Sequence, residues 1–282
     1  MTQHLRERVR YELPTPGVAR VVLDRPERRN AQDAAMLYAI DEAFALAVRD
    51  REVKVIVLAA EGPDFSSGHD LASDLTAPVG EPRELVAPYD QPGAEGWLSA
   101  EDEFFRGLCL RWRDLPTPTI ASVQGRVIAG GLMLIWPCDL IVASEDASFS
   151  DPVVAFGVNG HEFFTHVWEL GARRAKELLF TGEAMSAAEA RAIGMVNRVV
   201  PRAELETATL ELAERIARRP SFGLRLAKRA VNQSLDLQGQ RHAIDAAYSL
   251  HHLGHAHNRT EHGQLIDPAG IEAIRRDARG RE

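Results

Sequence analysis

Cysteine is almost missing from this chain: there are two, Cys109 and Cys138, both in apolar surroundings. Two such residues fit reduced core positions in a reducing compartment better than a disulfide framework. No run approaches the roughly 20 apolar residues that a membrane span needs. The opening segment MTQHLRERVRYELP has no apolar core of the kind a secretory signal carries. Cytoplasmic localisation without a membrane partner is therefore the expectation, and the sequons at Asn232 and Asn258 carry no meaning without secretion. An excess of positive charge is absent too. The formal net charge of −8 argues against a general nucleic-acid binder, which wants a basic surface. A polyanionic small ligand remains compatible, because Arg25, Arg28 and Arg29 form a local basic cluster.

What the chain does have is a globular composition. Of its 282 residues 45% are hydrophobic and 26% charged, enough for one large domain or a domain with a helical appendage. Val18 to Asp24 reads as a strand. From Asp33, a plausible N-cap, apolar residues follow helical spacing through Met36, Ile40, Phe44 and Val48. Val53 to Ala60 is a continuous β-branched and apolar run, as in a strand covered on both faces. Thr76 to Gly96, rich in proline and glycine, reads as an active-site flap. Ser99 to Leu115 looks helical, with Ser99 as cap, Asp102 at the third position, and Phe105, Leu108 and Trp112 on one face. Thr119 to Val123 and DLIVAS are further strands, separated by a glycine turn and a short apolar helix ending near Pro137. This alternation is α/β logic. Beyond Gly157 the pattern becomes mainly helical. Ser186 and Glu189 form a capping box, Gly194 stops that helix, and MVNRVVP is a last short strand. Helical patterns then cover 204–218, 222–233 and 238–253, and a polar tail after Thr260 reads as loosely ordered. The division expected is an α/β core over residues 1–200 carrying the site and a helical region over 201–282 engaged in subunit contacts.

Five ordered blocks carry a resemblance. RPERRNA (Arg25 to Ala31), DFSSGHDL (Asp64 to Leu71), PTIASVQGRVIAGGLMLIWPCDLIVAS (Pro118 to Ser144), ASFSDPVVAFGVNG, and LGARRAKELLFTGE followed by SAAEARAIGMVNRVVP resemble, in register, the crotonase (enoyl-CoA hydratase/isomerase) superfamily. The resemblance covers roughly residues 15 to 235. It implies an α/β fold: a spiral of β-strands and helices with a helical C-terminal region, assembled as a homotrimer or a homohexamer (dimer of trimers). It also implies an acyl-CoA substrate and no separate cofactor, coenzyme A being part of the substrate. The thioester carbonyl would sit between two backbone N–H groups, here those of Ser67 and Gly130. Gly130 and Gly131 open a helix whose N-terminus adds positive potential where an enolate oxygen develops. By the same resemblance Arg28, Arg29, Ala31, Ser66, Gly68, His69, Asp70, Leu71, Ile128, Gly131, Met133 and Val153 would contact substrate.

One departure from the family pattern is informative. The two glutamates of a family hydratase align with Met133 and Val153, neither of which transfers protons. General acid–base catalysis is usually worth about 10²–10⁴-fold, so the standard hydratase route should be impaired. His161, eight residues past Val153, is the first candidate for a replacement proton carrier, because imidazole titrates near neutral pH. Glu162 or Asp151 would orient it or act in its place; alternatively His161 only hydrogen-bonds the loop backbone. His69 is a weaker candidate, placed by the resemblance near the adenosine end. HEFFTH (His161 to His166) is one residue too long for the zinc motif in which two histidines share a helix face at i and i+4. His251 and His255 do have that spacing, but a histidine-rich helix end or a phosphate contact is the preferred reading, so no metal is expected. Two rivals stay open: a crotonase-type hydrolase cleaving a C–C bond in a β-diketone, and a non-catalytic acyl-CoA-binding paralogue.

Overall fold

The computed structural model describes residues 2–73, 89 and 91–279. Among the described residues there are ten strands: β1 (Thr2–Leu5), β2 (Val9–Thr15), β3 (Val18–Leu23), β4 (Val55–Ala60), β5 (Thr119–Val123), β6 (Arg126–Ile128), β7 (Leu140–Ser144), β8 (Ser148–Ser150), β9 (Met185–Ser186) and β10 (Arg198–Val200). The main sheet runs β1-β2-β3-β4-β5-β7-β10; the pairs β1–β2 and β2–β3 are antiparallel and every pair from β3–β4 on is parallel. A smaller sheet, β6-β8-β9, stands beside it. Helices separate and follow the strands: α1 (Ala34–Arg49), α2 (Ala94–Glu101), α3 (Leu108–Arg113), α4 (Gly130–Ile135), α5 (His166–Leu170), α6 (Ala172–Thr181), α7 (Ala187–Ala192), α8 (Leu205–Ala217), α9 (Ser221–Leu237), α10 (Gln240–His262) and α11 (Gly270–Arg279).

Most local expectations are met for the reasons given. The Asp33 carboxylate accepts the Met36 N–H and starts α1. Ser186 and Glu189 form the reciprocal capping box of α7. β4 is buried along nearly its whole length, as its apolar run requires, because α1 and α8 both pack on this sheet. Leu205, Leu212, Ala213 and Ala217 of α8 close an apolar cluster with Val18, Val55, Val57, Ile120 and Val142. Chain beyond residue 200 thus supplies one covering layer of the main sheet.

Two expectations need correction. Ser99 caps nothing: α2 starts at Ala94 and runs into a π-helical segment, Asp102–Gly107, which continues into α3. The expected apolar face survives, with Phe105, Leu108 and Trp112 all buried. The tail after Thr260 is ordered as far as Arg279, since α10 extends to His262 and α11 follows, packed on the short 3₁₀ turn Val153–Phe156. The hairpin β1–β2 had not been expected. The flap read over Thr76 to Gly96 lies mostly outside the described residues; its end, from Ala94, is helical.

Trp112 anchors this architecture. It is 1% exposed, meets Phe44 edge-on at 5.7 Å and donates its indole N–H to Asp41 over 3.1 Å. Trp112→Ala should cost about 3–5 kcal/mol, the usual range for emptying an aromatic core site. Urea unfolding would measure it, and a loss under about 1 kcal/mol would contradict this packing role.

Candidate active site

The turn Ser66 to Leu71 is built by hydrogen bonds that leave few groups free. The Ser66 side chain is fully buried; its hydroxyl donates to the Asn30 carbonyl and receives the Gln32 amide and the Gly68 N–H. Gly68 has φ +88°, and a Cβ there would lie 2.8 Å from the Ile128 carbonyl oxygen and 3.3 Å from the Gly130 nitrogen. Only glycine lets this turn lie against the start of α4. Arg25 clamps the far end, donating to the Ala31 carbonyl and to Asp70.

These bonds correct one assignment. The Ser67 N–H donates to the Arg29 carbonyl at 3.0 Å, so it is not available to a thioester. Arg29 presents that carbonyl because its backbone is left-handed, φ +52°. The neighbouring His69 N–H and the Gly130 N–H have no hydrogen-bond acceptor among the described residues. Ser66, Gly68 and Ala31 therefore shape the turn rather than contact ligand, and the Asp70 carboxylate is held by Arg25. Arg28 and Arg29 are exposed beside the turn.

A cavity of about 460 Å³ opens next to this turn. Ser67, His69, Asp70, Leu71, Ile128 and Val153 line it. Gly131 and Met133 do not. Met133 is 1% exposed in the apolar core, where its carbonyl receives the Cys109 thiol. A second cavity, of about 500 Å³, shares no lining residue with the first. It is bordered by Trp136, Trp168, Glu169, Lys228 and Asn232, far from the turn in connectivity and without its free N–H groups.

The acid–base candidates fall into two groups. Asp151 is wholly buried and off the cavity wall; it accepts the His161 backbone N–H and lies 2.8 Å from Nε2 of His166. Burial opposes its charge, yet these contacts hold its carboxyl down at about 2. Asp151 thus orients the loop and does not reach substrate. His161 lines the cavity but is 2% exposed, wedged between Trp136 and His166, and neither ring nitrogen has a partner. The expected pairing of its ring with Glu162 or Asp151 is absent. Burial, reinforced by His166, pushes its pKa well below the ordinary value.

Glu162 is the better placed carboxyl. It lines the cavity, is 5% exposed, and has Oε2 unpartnered at 3.9 Å from Nε2 of His69. Burial raises its pKa to about 7. The His69 ring stacks on Phe105 at 3.8 Å and covers the Gly130 α-carbon. Residues the sequence reading did not place here are Glu101, at the junction of α2 with the π segment, and His251 and His255 of α10. A π segment is a common mark of a functional site, and the i, i+4 spacing of the two histidines was visible in the sequence.

Comparison with known proteins identifies the family. The family profile for enoyl-CoA hydratase/isomerase matches residues 15–265. This chain belongs to that family. A relative in Mycobacterium tuberculosis named "Putative enoyl-CoA hydratase EchA13" is 44% identical over 259 residues, 89% of this chain and 81% of the relative. A crystal structure from Mycobacterium smegmatis, described as a "probable enoyl-CoA hydratase", superposes with a TM-score of 0.83 at 47% identity, covering 92% of this chain and 99% of that one. A monofunctional enoyl-CoA isomerase from the same species gives 0.66 at 30% identity over 83% and 98% of the two chains. The fold is the crotonase fold, with the helical C-terminal region that the resemblance implied. Among the described residues, no helix is long and apolar enough to cross a membrane.

Proposed function

We propose that this member of the enzyme family acts on acyl-CoA thioesters through an enolate. The backbone N–H groups of His69 and Gly130 would polarise the thioester carbonyl, and Glu162 would move a proton on the acyl chain. The observation that carries this reading is the meeting, on one cavity, of two unengaged backbone N–H groups and a buried carboxyl with a free oxygen. Preorganised donors aimed at a developing oxyanion act in a dry site without reorganisation, which makes them effective. A single carboxyl suffices to carry a proton from one carbon to another, whereas hydration needs one group to activate water and another to protonate carbon. Val153 on the wall offers no second group, and Glu101, the other carboxyl of the cavity, faces the histidines of α10. A double-bond shift is therefore favoured over hydration, and the name of the isomerase neighbour points the same way. Exposed Arg28 and Arg29 are suited to the CoA phosphates. No further cofactor enters this step.

A homotrimer or homohexamer is proposed as the assembly. Phe222, Leu226, Val231 and Leu237 of α9, and Leu250 and Leu253 of α10, are large apolar side chains more than half exposed or at that limit, an unusual density for a solvated face. A cytoplasmic location remains part of the same proposal.

The acyl-CoA reading is tested by incubating the protein with butyryl-CoA in D₂O. Deuterium at Cα, seen by mass spectrometry, is expected, together with calorimetric binding of the thioester. No binding of butyryl-CoA or CoA by folded protein would remove the reading and favour the β-diketone hydrolase. Tight binding without exchange, and without turnover on a panel of 2-enoyl and 3-enoyl thioesters, would favour a non-catalytic binder.

A further inference from the structure

Three histidines of α10 turn the same ring nitrogen toward one carboxylate. Nε2 of His255 lies 3.3 Å from Oε1 of Glu101, while Nε2 of His252 and of His251 lie 3.2 Å and 3.7 Å from its Oε2. Nε2 of His251 is also 3.4 Å from Oε1 of Glu162. None of these contacts has the alignment of a hydrogen bond: all three Nε2 atoms, and Oε2 of Glu101, are buried without a partner. Glu101, His251 and His255 are 4%, 4% and 7% exposed. An unpartnered buried polar atom is rare; here four of them share one space.

The opposite ring nitrogens show which species these are. Nδ1 of His251 is 2.8 Å from the Gly160 carbonyl, and Nδ1 of His255 is 2.7 Å from the Leu265 carbonyl. A carbonyl only accepts, so each Nδ1 carries a proton, and a ring without a second proton aims its Nε2 lone pair at Glu101. This is how the second sphere of a metal site fixes its histidines. Lone pairs facing a carboxylate repel unless a cation stands between them. Three protons would place three buried imidazolium ions against the carboxylates of Glu101 and Glu162, an excess of positive charge in a dry wall. One divalent ion answers all the lone pairs at once.

We propose that Glu101, His251 and His255, with His252 beside them, form a binding site for one divalent transition-metal ion. Ligands about 2.0–2.2 Å from a common ion stand roughly 3–3.5 Å apart, and the observed Nε2-to-oxygen separations are 3.2–3.7 Å. The donor atoms of Glu101, His251 and His255 all lie within 4.8 Å of one another. Two or three imidazoles with a carboxylate suit Zn²⁺, Fe²⁺, Co²⁺ or Ni²⁺, and disfavour Mg²⁺ and Ca²⁺. The spacing of His251 and His255 puts both on one face of α10. All three ligands line the cavity, so an ion here keeps a coordination position open to the cavity. The proposal needs no CoA and stands independently of the reaction assigned above.

The test uses the full chain, stripped with chelator and titrated with Co²⁺ while visible absorption is followed. One equivalent should bind, with d–d bands as intense as a buried four- or five-coordinate site gives, and Zn²⁺ should displace it. Glu101→Gln and His255→Gln should each weaken Co²⁺ binding at least tenfold, while His257→Gln, at an exposed position on the same helix, should not change it. Circular dichroism confirms folding of each variant. No band in the parent protein, only the weak bands of a surface hexa-aqua-like ion, or undiminished binding in folded Glu101→Gln and His255→Gln would each overturn the site. Should both variants fail to fold, the intensity and stoichiometry of the parent spectrum decide alone.

Discussion

Glu162→Gln should lower turnover on any thioester the enzyme accepts by about 10²–10⁴-fold, the usual worth of a positioned acid or base, with thioester affinity changed only a few-fold. Glutamine keeps the shape of the side chain and one acceptor but carries no exchangeable acid proton. Glu162 lies on the cavity wall with Oε2 unpartnered, so the loss should fall on kcat and on α-deuterium exchange together. His161→Gln is the comparison. Its ring is wedged between Trp136 and His166 and its backbone N–H is tied to Asp151, so the substitution should disturb the loop and cost less activity. Full exchange activity in folded Glu162→Gln would take the proton-transfer role away from this residue. A larger loss in His161→Gln than in Glu162→Gln would hand it to the imidazole.

Much of the fold is legible in the chain because periodicity and capping act locally. Asp33 starts α1 through its own side chain, Ser186 and Glu189 cap each other, and the β-branched run of β4 needs two covering layers whatever else surrounds it. The hairpin β1–β2 escaped because its turn depends on Arg6 and Glu7 adopting left-handed backbone, which neither residue type advertises. The π segment escaped for a related reason. Its sequence, Asp102 to Gly107, has ordinary helical periodicity, and only the packed neighbours reveal the extra residue per turn.

The site was legible as a neighbourhood but not as an assignment. The glycine turns at Gly68 and Gly130 were found correctly, since close backbone approach demands glycine there. Which N–H of the turn stays free depends on a carbonyl from another segment, Arg29, and no local pattern encodes that. His161 and Glu162 are adjacent in sequence and both reach the wall, yet the Asp151 carboxylate lies against the His166 ring and not that of His161. Glu101 and His255 are 154 positions apart in the chain, counting from 101 to 255, and meet only because α10 returns over α2. Such a cluster is written in tertiary structure alone.

Crotonyl-CoA hydration, finally, should run about 10²–10⁴-fold below that of a relative carrying both family glutamates, the range expected when acid–base catalysis is lost. The two substitutions fail for different reasons. Met133 is not on the cavity wall at all: it is packed in the core, and a glutamate introduced there would need a path to substrate that the closed packing around Cys109 and Leu132 does not provide. Val153 does line the cavity, so that position faces substrate but presents only methyl groups. Glu162, nine residues beyond Val153 and on the same cavity, would supply one proton carrier on the proposed reading, where water addition needs two. Loss of the enoyl absorbance, followed at equal enzyme concentrations, measures the rate. Hydration within tenfold of the glutamate-bearing relative would show that a second group, Glu101 or a water held by the histidines of α10, completes the pair, and the preference for a double-bond shift would then fall.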